Sequence, residues 1–309
     1  MKTATTQIPD PQSIITRSRE QAAKMTIYSL SFKGHHLKLG ANTCVMGILN
    51  VTPDSFSDGG RFFKASQAIE QAMAMVREGA DIIDIGGEST RPFSDAVPAD
   101  EELRRVIPVI KELAKTLPVP ISIDTCKAVV AEKALEAGAG IVNDVSAMTM
   151  DPDMVRVVRE TGAPVVLMHM LGNPKTMQVA PQYDDVVQDI LTYLENTIRK
   201  AEDQGIDRNM IIADPGIGFG KTVEHNFRLL KHLPEFHRLG VPLLVGSSRK
   251  AFIRKTLGEG AETDNRHAIE IGTQATVSAA VLGGAHIVRV HDVASTVATV
   301  KILDAMKRA

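Results

Sequence analysis

The chain has no tryptophan, three tyrosines and two cysteines in 309 residues. Cys44 and Cys126 form no CxxC pair, which argues against a disulfide framework and a structural zinc site. No apolar run approaches the ~18 residues that a membrane-spanning helix needs. An excess of either charge is also missing. The 35 basic and 37 acidic residues leave a formal net charge of -2, so nothing points to a nucleic-acid or membrane partner. Residues 1–25 are polar and lack the apolar core of a signal peptide. These absences lead us to expect a cytoplasmic protein with a flexible N-terminal extension, 1–25, ahead of one domain, 26–309.

What the chain does have is a repeat. With 44% hydrophobic residues it can build a large core. From Val45 onward a short apolar strand, a polar or glycine-bearing junction and an amphipathic helix recur. The strands are read at 45–50, 82–86, 119–124, 141–145, 164–169, 210–214, 242–246 and 286–291. The helices are read at 64–79, 99–117, 127–138, 151–161, 183–204, 222–238, 263–283 and 293–308. In the first helix Ile69, Ala72, Met73 and Val76 share one face, and Gly79 supplies a C-terminal stop. Such alternation predicts an α/β fold, a (β/α)8 TIM barrel, with a doubly wound sheet as the competitor because spacing alone does not close a barrel. Ahead of it, the alternation from Thr26 to Gly40 around Lys33-Gly34 predicts a β-hairpin that closes the bottom. His35 and His36 are adjacent, so in a strand they point to opposite faces and make no joint metal site.

In a barrel, functional groups gather where strands end and loops begin. The apolar run from Val45 stops at Asn50 and continues as a polar loop with one aromatic, Phe56. Asp84, Asp124, Asn143, Asp144, His169, Asp214, Lys250, Arg289 and His291 all lie at or near strand ends. A single Asp or Asn before a helix is more often an N-cap than a catalyst. So many strands ending in polar groups at one mouth are poorly explained by capping alone.

The stretch from Asp214 to Thr222 (DPGIGFGKT) invites a nucleotide reading and fails it. A Walker loop needs glycine where Pro215 stands, and a dinucleotide fingerprint needs it at Lys221. Its glycines instead let the backbone run close beside a flat ligand, with Phe219 as an apolar wall. Asp124, Asn143 and Asp214 combine acceptors with one amide that both donates and accepts. That set suits a heterocycle with an exocyclic amino group and ring N–H donors, as in pterins and purines. Metal binding is the rival use of such groups. Asn50 is an acceptable oxygen ligand for Mg2+, in a shell completed by substrate phosphates rather than by protein alone. Arg289 and His291, two apart on a strand, face the same side and suit a phosphate group. With so few aromatics, the guanidinium plane of Arg289 could also stack on a flat ring. Ser248 and Lys250 add donors facing a phosphate or carbonyl. Asp58 and Arg91 lie on two polar loops and could latch over a substrate. Cys126, at a helix start beside Asp124, could have a depressed pKa, but no base adjoins it in sequence.

These segments together resemble dihydropteroate synthase from about residue 45 to the C-terminus. The resemblance rests on Met46–Gly60 (MGILNVTPDSFSDGG), Asp84–Pro92 (DIGGESTRP), Ser122–Thr125 (SIDT) and Asn143-Asp144. It continues through Leu167–Met170 (LMHM), Gly172–Gln178 (GNPKTMQ), Asp214–Lys221 (DPGIGFGK), Pro242–Gly246 (PLLVG), Ser248–Lys250 (SRK) and Arg289–Asp292 (RVHD). It implies a TIM barrel, usually dimeric, that joins 4-aminobenzoate to 6-hydroxymethyl-7,8-dihydropterin diphosphate in folate synthesis and releases pyrophosphate. It further implies that Asp124, Asn143, Asp214 and Lys250 hold the pterin, with Thr90 as a further contact. Asn50, Arg289 and His291 would bind the Mg2+-diphosphate, with Asn50 on the metal. The loops of Asp58 and Arg91 would close over the leaving group. Phe56, Pro92, Phe219 and Ser248 would line the aminobenzoate pocket. Phe93, Cys126 and Leu171 depart from the commoner pattern, where glycine, serine and glutamine stand. A pterin-binding methyltransferase on the same barrel is the rival enzyme. It would not need the loop after Asn50 or the Arg289/His291 pair.

Overall fold

The computed structural model describes residues 26–52, 61–88, 97–172, 177–258 and 265–309, with the backbone alone at 61–64. The expected N-terminal extension lies outside these residues.

Strands β1 (Tyr28–Phe32) and β2 (His35–Leu39) form the expected antiparallel hairpin around Lys33 and Gly34. Eight further strands form one parallel sheet: β3 (Cys44–Asn50), β4 (Ile82–Gly86), β5 (Ile121–Asp124), β6 (Ile141–Asp144), β7 (Val165–Met168), β8 (Ile211–Asp214), β9 (Leu244–Val245) and β10 (Ile287–Val290). Their order is β8-β7-β6-β5-β4-β3-β10-β9. A parallel bridge between Ala213 and Leu243, with Ala213 N donating to Pro242 O at 2.8 Å, joins the two ends. That bridge decides between the two architectures: the sheet closes into a barrel. β9 is shorter than the expected 242–246, and Pro242 has no N–H to give a ladder.

Helices fill the crossovers: α1 (Arg61–Glu78), α2 (Ala99–Leu113), α3 (Ala128–Ala137), α4 (Met154–Thr161), α5 (Val186–Asp203), α6 (Val223–Lys231), α7 (Ala251–Thr256), α8 (Arg266–Leu282) and α9 (Val293–Arg308). Local chemistry sets their starts. Asp185 caps α5 by accepting from Val187 N and Gln188 N, and Asp292 caps α9 by accepting from Ser295 N. Two details differ from the sequence reading. The helix expected at 222–238 breaks after Lys231 into a 3-10 segment, Leu233–Leu239, because Pro234 cannot continue an α-helical ladder. The short α7 follows β9 where no helix was expected.

The largest core fills the layer between strands and helices. A second cluster lies at the strand starts. There Leu30, Phe32 and Leu39 of the hairpin pack on Met46, Ile82, Ile141, Val166, Ile212, Leu244 and Ile287. The hairpin plugs the N-terminal end of the barrel, which leaves the C-terminal end for chemistry. His36 is exposed and bonded to Ser29 and Ser31, and His35 lies against Phe32.

Candidate active site

At the C-terminal end of the barrel, Asp84, Asp124, Asn143 and Asp214 are all buried, each contributed by its own strand. Asn143 is the register partner of Asp124 across β5 and β6. Arg289 reaches across from β10. Its Nε donates to Asp84 Oδ2 at 2.6 Å and its Nη2 to Asp124 Oδ2 at 2.6 Å. Asn143 Nδ2 donates to the same Asp84 oxygen at 3.1 Å. Asp84 is the residue sequence reasoning left without a role. Its position inside a strand was legible, but its partners come from strands far away in the chain.

The electrostatics follow from burial. Asp124 is raised well above the usual carboxylate range by desolvation, against the pull of Arg289 and with a further push from Asp84. Burial raises Asp214 to about 6, opposed by the Gly216 N–H and by Lys250. Desolvation works against the charge on Arg289, but Asp84 and Asp124 outweigh it and keep the guanidinium ionised. Asp124 Oδ1 is buried without a hydrogen-bond partner among the described residues. Leaving such an acceptor unmet costs about 1–3 kcal/mol, so a donor-bearing ligand is favoured there.

Asp144 behaves differently. Its two oxygens accept from Ser146 N at 2.8 Å, Ser146 Oγ at 2.7 Å and Met148 N at 2.8 Å. It holds the turn in which Ala147 and Met148 take positive φ, and has a structural task instead of a ligand.

On the other side of the mouth, Lys250 Nζ stands 3.8 Å from the centroid of the Phe219 ring, a cation–π contact. Phe219 is buried with Val145, Met168 and Met177. Ser248 Oγ accepts from the His291 backbone N–H at 3.2 Å and lies 2.9 Å from His291 Nδ1. Which of the two donates in that contact depends on the imidazole tautomer. Arg249 turns away to Glu270. Asn50 ends β3, half-buried, beside Gly86. Phe56, Asp58, Thr90, Arg91 and Pro92, like Phe93, lie outside the described residues.

One reading needs correction. Cys126 does not have a lowered pKa: burial pushes its thiol up, and so does the carboxylate of Asp144. α3 also begins only at Ala128, so the helix start does not fall on the sulfur. Arg289 spends two of its N–H groups on Asp84 and Asp124. Those on Nη1 remain for a ligand.

Residues 46–291 match the family model of pterin binding enzymes. A dihydropteroate synthase from Synechocystis is 50% identical over 269 residues, 87% of this chain and 92% of that protein. The chain belongs to the dihydropteroate synthase family. Membership makes it a transferase of folate biosynthesis. The Escherichia coli member is 47% identical over 261 residues, covering 84% of this chain and 90% of that protein. Among solved structures, the Xanthomonas albilineans dihydropteroate synthase with 4-aminobenzoic acid superposes with a TM-score of 0.85 at 44% identity. That match covers 92% of this chain and 100% of the other. The Yersinia pestis dihydropteroate synthase with a sulfonamide drug gives 0.84 at 44% identity, covering 91% and 100%. The family's fold is therefore the barrel described above.

Proposed function

We propose that this chain condenses 6-hydroxymethyl-7,8-dihydropterin diphosphate with 4-aminobenzoate, giving 7,8-dihydropteroate and pyrophosphate. The observation that carries the reading is the buried set Asp124, Asn143 and Asp214, with Asp124 Oδ1 lacking a partner among the described residues. It offers acceptors to the amino and ring N–H donors of a pterin edge, and Lys250 adds a donor beside it.

The reaction is a substitution at the pterin methylene. The C–O bond to diphosphate breaks, and the methylene carbon bonds to the arylamine nitrogen, which then loses a proton. Arg289 and His291 donate to the leaving diphosphate as its charge grows. Asp124 and Asp214 anchor the pterin and favour the cationic character that develops on it. The arylamine is neutral at pH 7 and needs position more than a strong base. Phe219 and Ser248, with Phe56 and Pro92 from the loops, form its pocket. The resemblance assigns Asp58 and Arg91 to the leaving group and Thr90 to the pterin, all three outside the described residues.

Mg2+ fits this site as an ion carried by the diphosphate. Among the described residues no three His, Cys, Asp or Glu side chains are placed to hold a metal, so a cage built by those residues alone does not fit. A single hard oxygen from Asn50, completed by phosphate oxygens and water, does. When bound, the ion neutralises charge on the leaving group.

A cytoplasmic homodimer completes the proposal. It is supported by exposed Ile271 and Leu282 on α8 and exposed Ile302 and Met306 on α9, and light scattering tests it. Among the described residues no helix is long and apolar enough to cross a membrane. The deciding assay for the activity is pyrophosphate release from the pterin diphosphate, with and without 4-aminobenzoate and Mg2+. Release that does not depend on 4-aminobenzoate would remove the synthase reading.

A further inference from the structure

Asp84 sits in the middle of β4, fully buried, and no step above uses it. Its Oδ2 accepts from Arg289 Nε at 2.6 Å and from Asn143 Nδ2 at 3.1 Å. Arg289 comes from β10 and Asn143 from β6, on opposite sides of β4 in the sheet. One oxygen therefore ties together the arc from β10 through β3, β4 and β5 to β6.

Each tie fixes something the partner cannot fix alone. A guanidinium held at Nε by Asp84 and at Nη2 by Asp124 has its plane set, which leaves Nη1 in a defined direction. The Asn143 amide has two ends of similar shape and opposite hydrogen-bonding sense. A carboxylate only accepts, so Asp84 selects the Nδ2 end and turns the Asn143 carbonyl oxygen the other way. The other Asp84 oxygen, Oδ1, has no partner among the described residues, and neither has Oγ of its register neighbour Ser122. The carboxylate is thus committed to these two side chains.

We propose that Asp84 is a positioning residue for the pterin end of the site, setting the plane of Arg289 and the amide orientation of Asn143. The proposal rests on the synthase reading above and adds to it. Alanine at this position removes the one oxygen that both partners share, so both settings are lost. Among the described residues no hydrogen bond or ion pair joins Asp84 to Phe219 or Ser248, so the 4-aminobenzoate end is expected to hold.

The test compares wild type with Asp84→Ala, well below the melting temperature of each. Calorimetry with 6-hydroxymethylpterin should show Kd rising ten-fold or more. Steady-state assays should show a lower kcat, with KM for 4-aminobenzoate within two-fold. Unchanged pterin affinity, or equal shifts in both ligands, overturns the proposal. If the single variant does not fold, Asp84→Ala/Arg289→Gln removes one charge of each sign and leaves the interior's net charge unchanged. It is compared with Arg289→Gln alone. A further loss of pterin affinity, about five-fold, is expected from the freed Asn143 amide, and no further loss overturns the proposal. A wild-type enzyme that binds 6-hydroxymethylpterin but does not turn over the diphosphate sinks the synthase reading and leaves this inference to the calorimetry.

Discussion

Nζ of Lys221 lies 3.0 Å from Nδ1 of His169, and both side chains are buried. The same ammonium reaches the carbonyl oxygens of His169, at 3.3 Å, and of Phe219, at 2.9 Å. It therefore clamps the loop after β8 onto the end of β7. The two backbones touch nearby: a Cβ on Gly216, which has φ +71°, would stand 1.9 Å from His169 O. Only glycine fits there. Tyr183 Oη donates to Gly220 O at 2.8 Å and Gln178 Nε2 to Gly218 O at 2.8 Å, completing the frame that holds Phe219.

Lys221 should make stability depend on pH. Burial lowers its pKa from 10.5 to about 7, and His169 is pushed down to about 2, first by burial and then by Lys221, so the ring stays neutral. Between those two Lys221 values the unfolded chain binds a proton that the folded protein lacks. Stability from this group therefore rises with pH across that window and is lost as pH falls towards 7. Lys221→Met removes the effect. The urea midpoint of wild type minus that of Lys221→Met should increase from pH 7 to pH 9.5. Parallel pH curves would refute this account.

Pterin affinity should rise with pH. Burial raises Asp214 to about 6 from 3.8. The unliganded fold binds this proton more tightly than the unfolded chain, so the group's contribution to stability falls as pH rises from about 4 to 6. Only the ionised form accepts freely from pterin donors, so binding gains over the same range. Calorimetry with 6-hydroxymethylpterin should show tighter binding at pH 7.5 than at pH 5. Asp214→Asn should remove the part of the dependence near pH 6, leaving that of the raised Asp124, and lower kcat/KM ten-fold or more, about 1.4 kcal/mol. A variant with wild-type kcat/KM would remove Asp214 from the pterin edge.

Removing Lys127 should cost stability. It pairs with Glu88 and, at 2.6 Å, with the fully buried Glu102, whose other oxygen has no partner among the described residues. Lys127→Met leaves a buried carboxylate without its cation, a change worth roughly 3–5 kcal/mol. Chemical denaturation measures it. A loss below about 1 kcal/mol would overturn this account.

Sulfonamides should compete with 4-aminobenzoate and not with the pterin diphosphate, because both carry a para-aminophenyl group suited to the wall at Phe219. Phe219→Ala should raise the sulfonamide Ki and the KM for 4-aminobenzoate together, by about 1–2 kcal/mol each for the lost ring contact. Competition against the pterin substrate would overturn the pocket assignment.

The repeating strands and helices were legible because strand and helix periodicity are local properties, written in neighbouring residues. The identity of Asp124, Asn143 and Asp214 as one set followed from their place at strand ends, as did Arg289 and His291. The break at Pro234 and the bound state of Asp144 depend on nearby residues, but sequence could not weigh a turn against a ligand for Asp144. Closure was different in kind. Nothing in the spacing says that Ala213 meets Leu243, since that contact is fixed only when twisted strands pack around a filled interior. The direction of Arg289 was likewise invisible, for its partner Asp84 lies 205 residues earlier. The sequence by itself determined which elements form and which groups stand at their ends. Tertiary packing decided which of those groups touch, because burial and charge act through space, and only the folded barrel sets those distances.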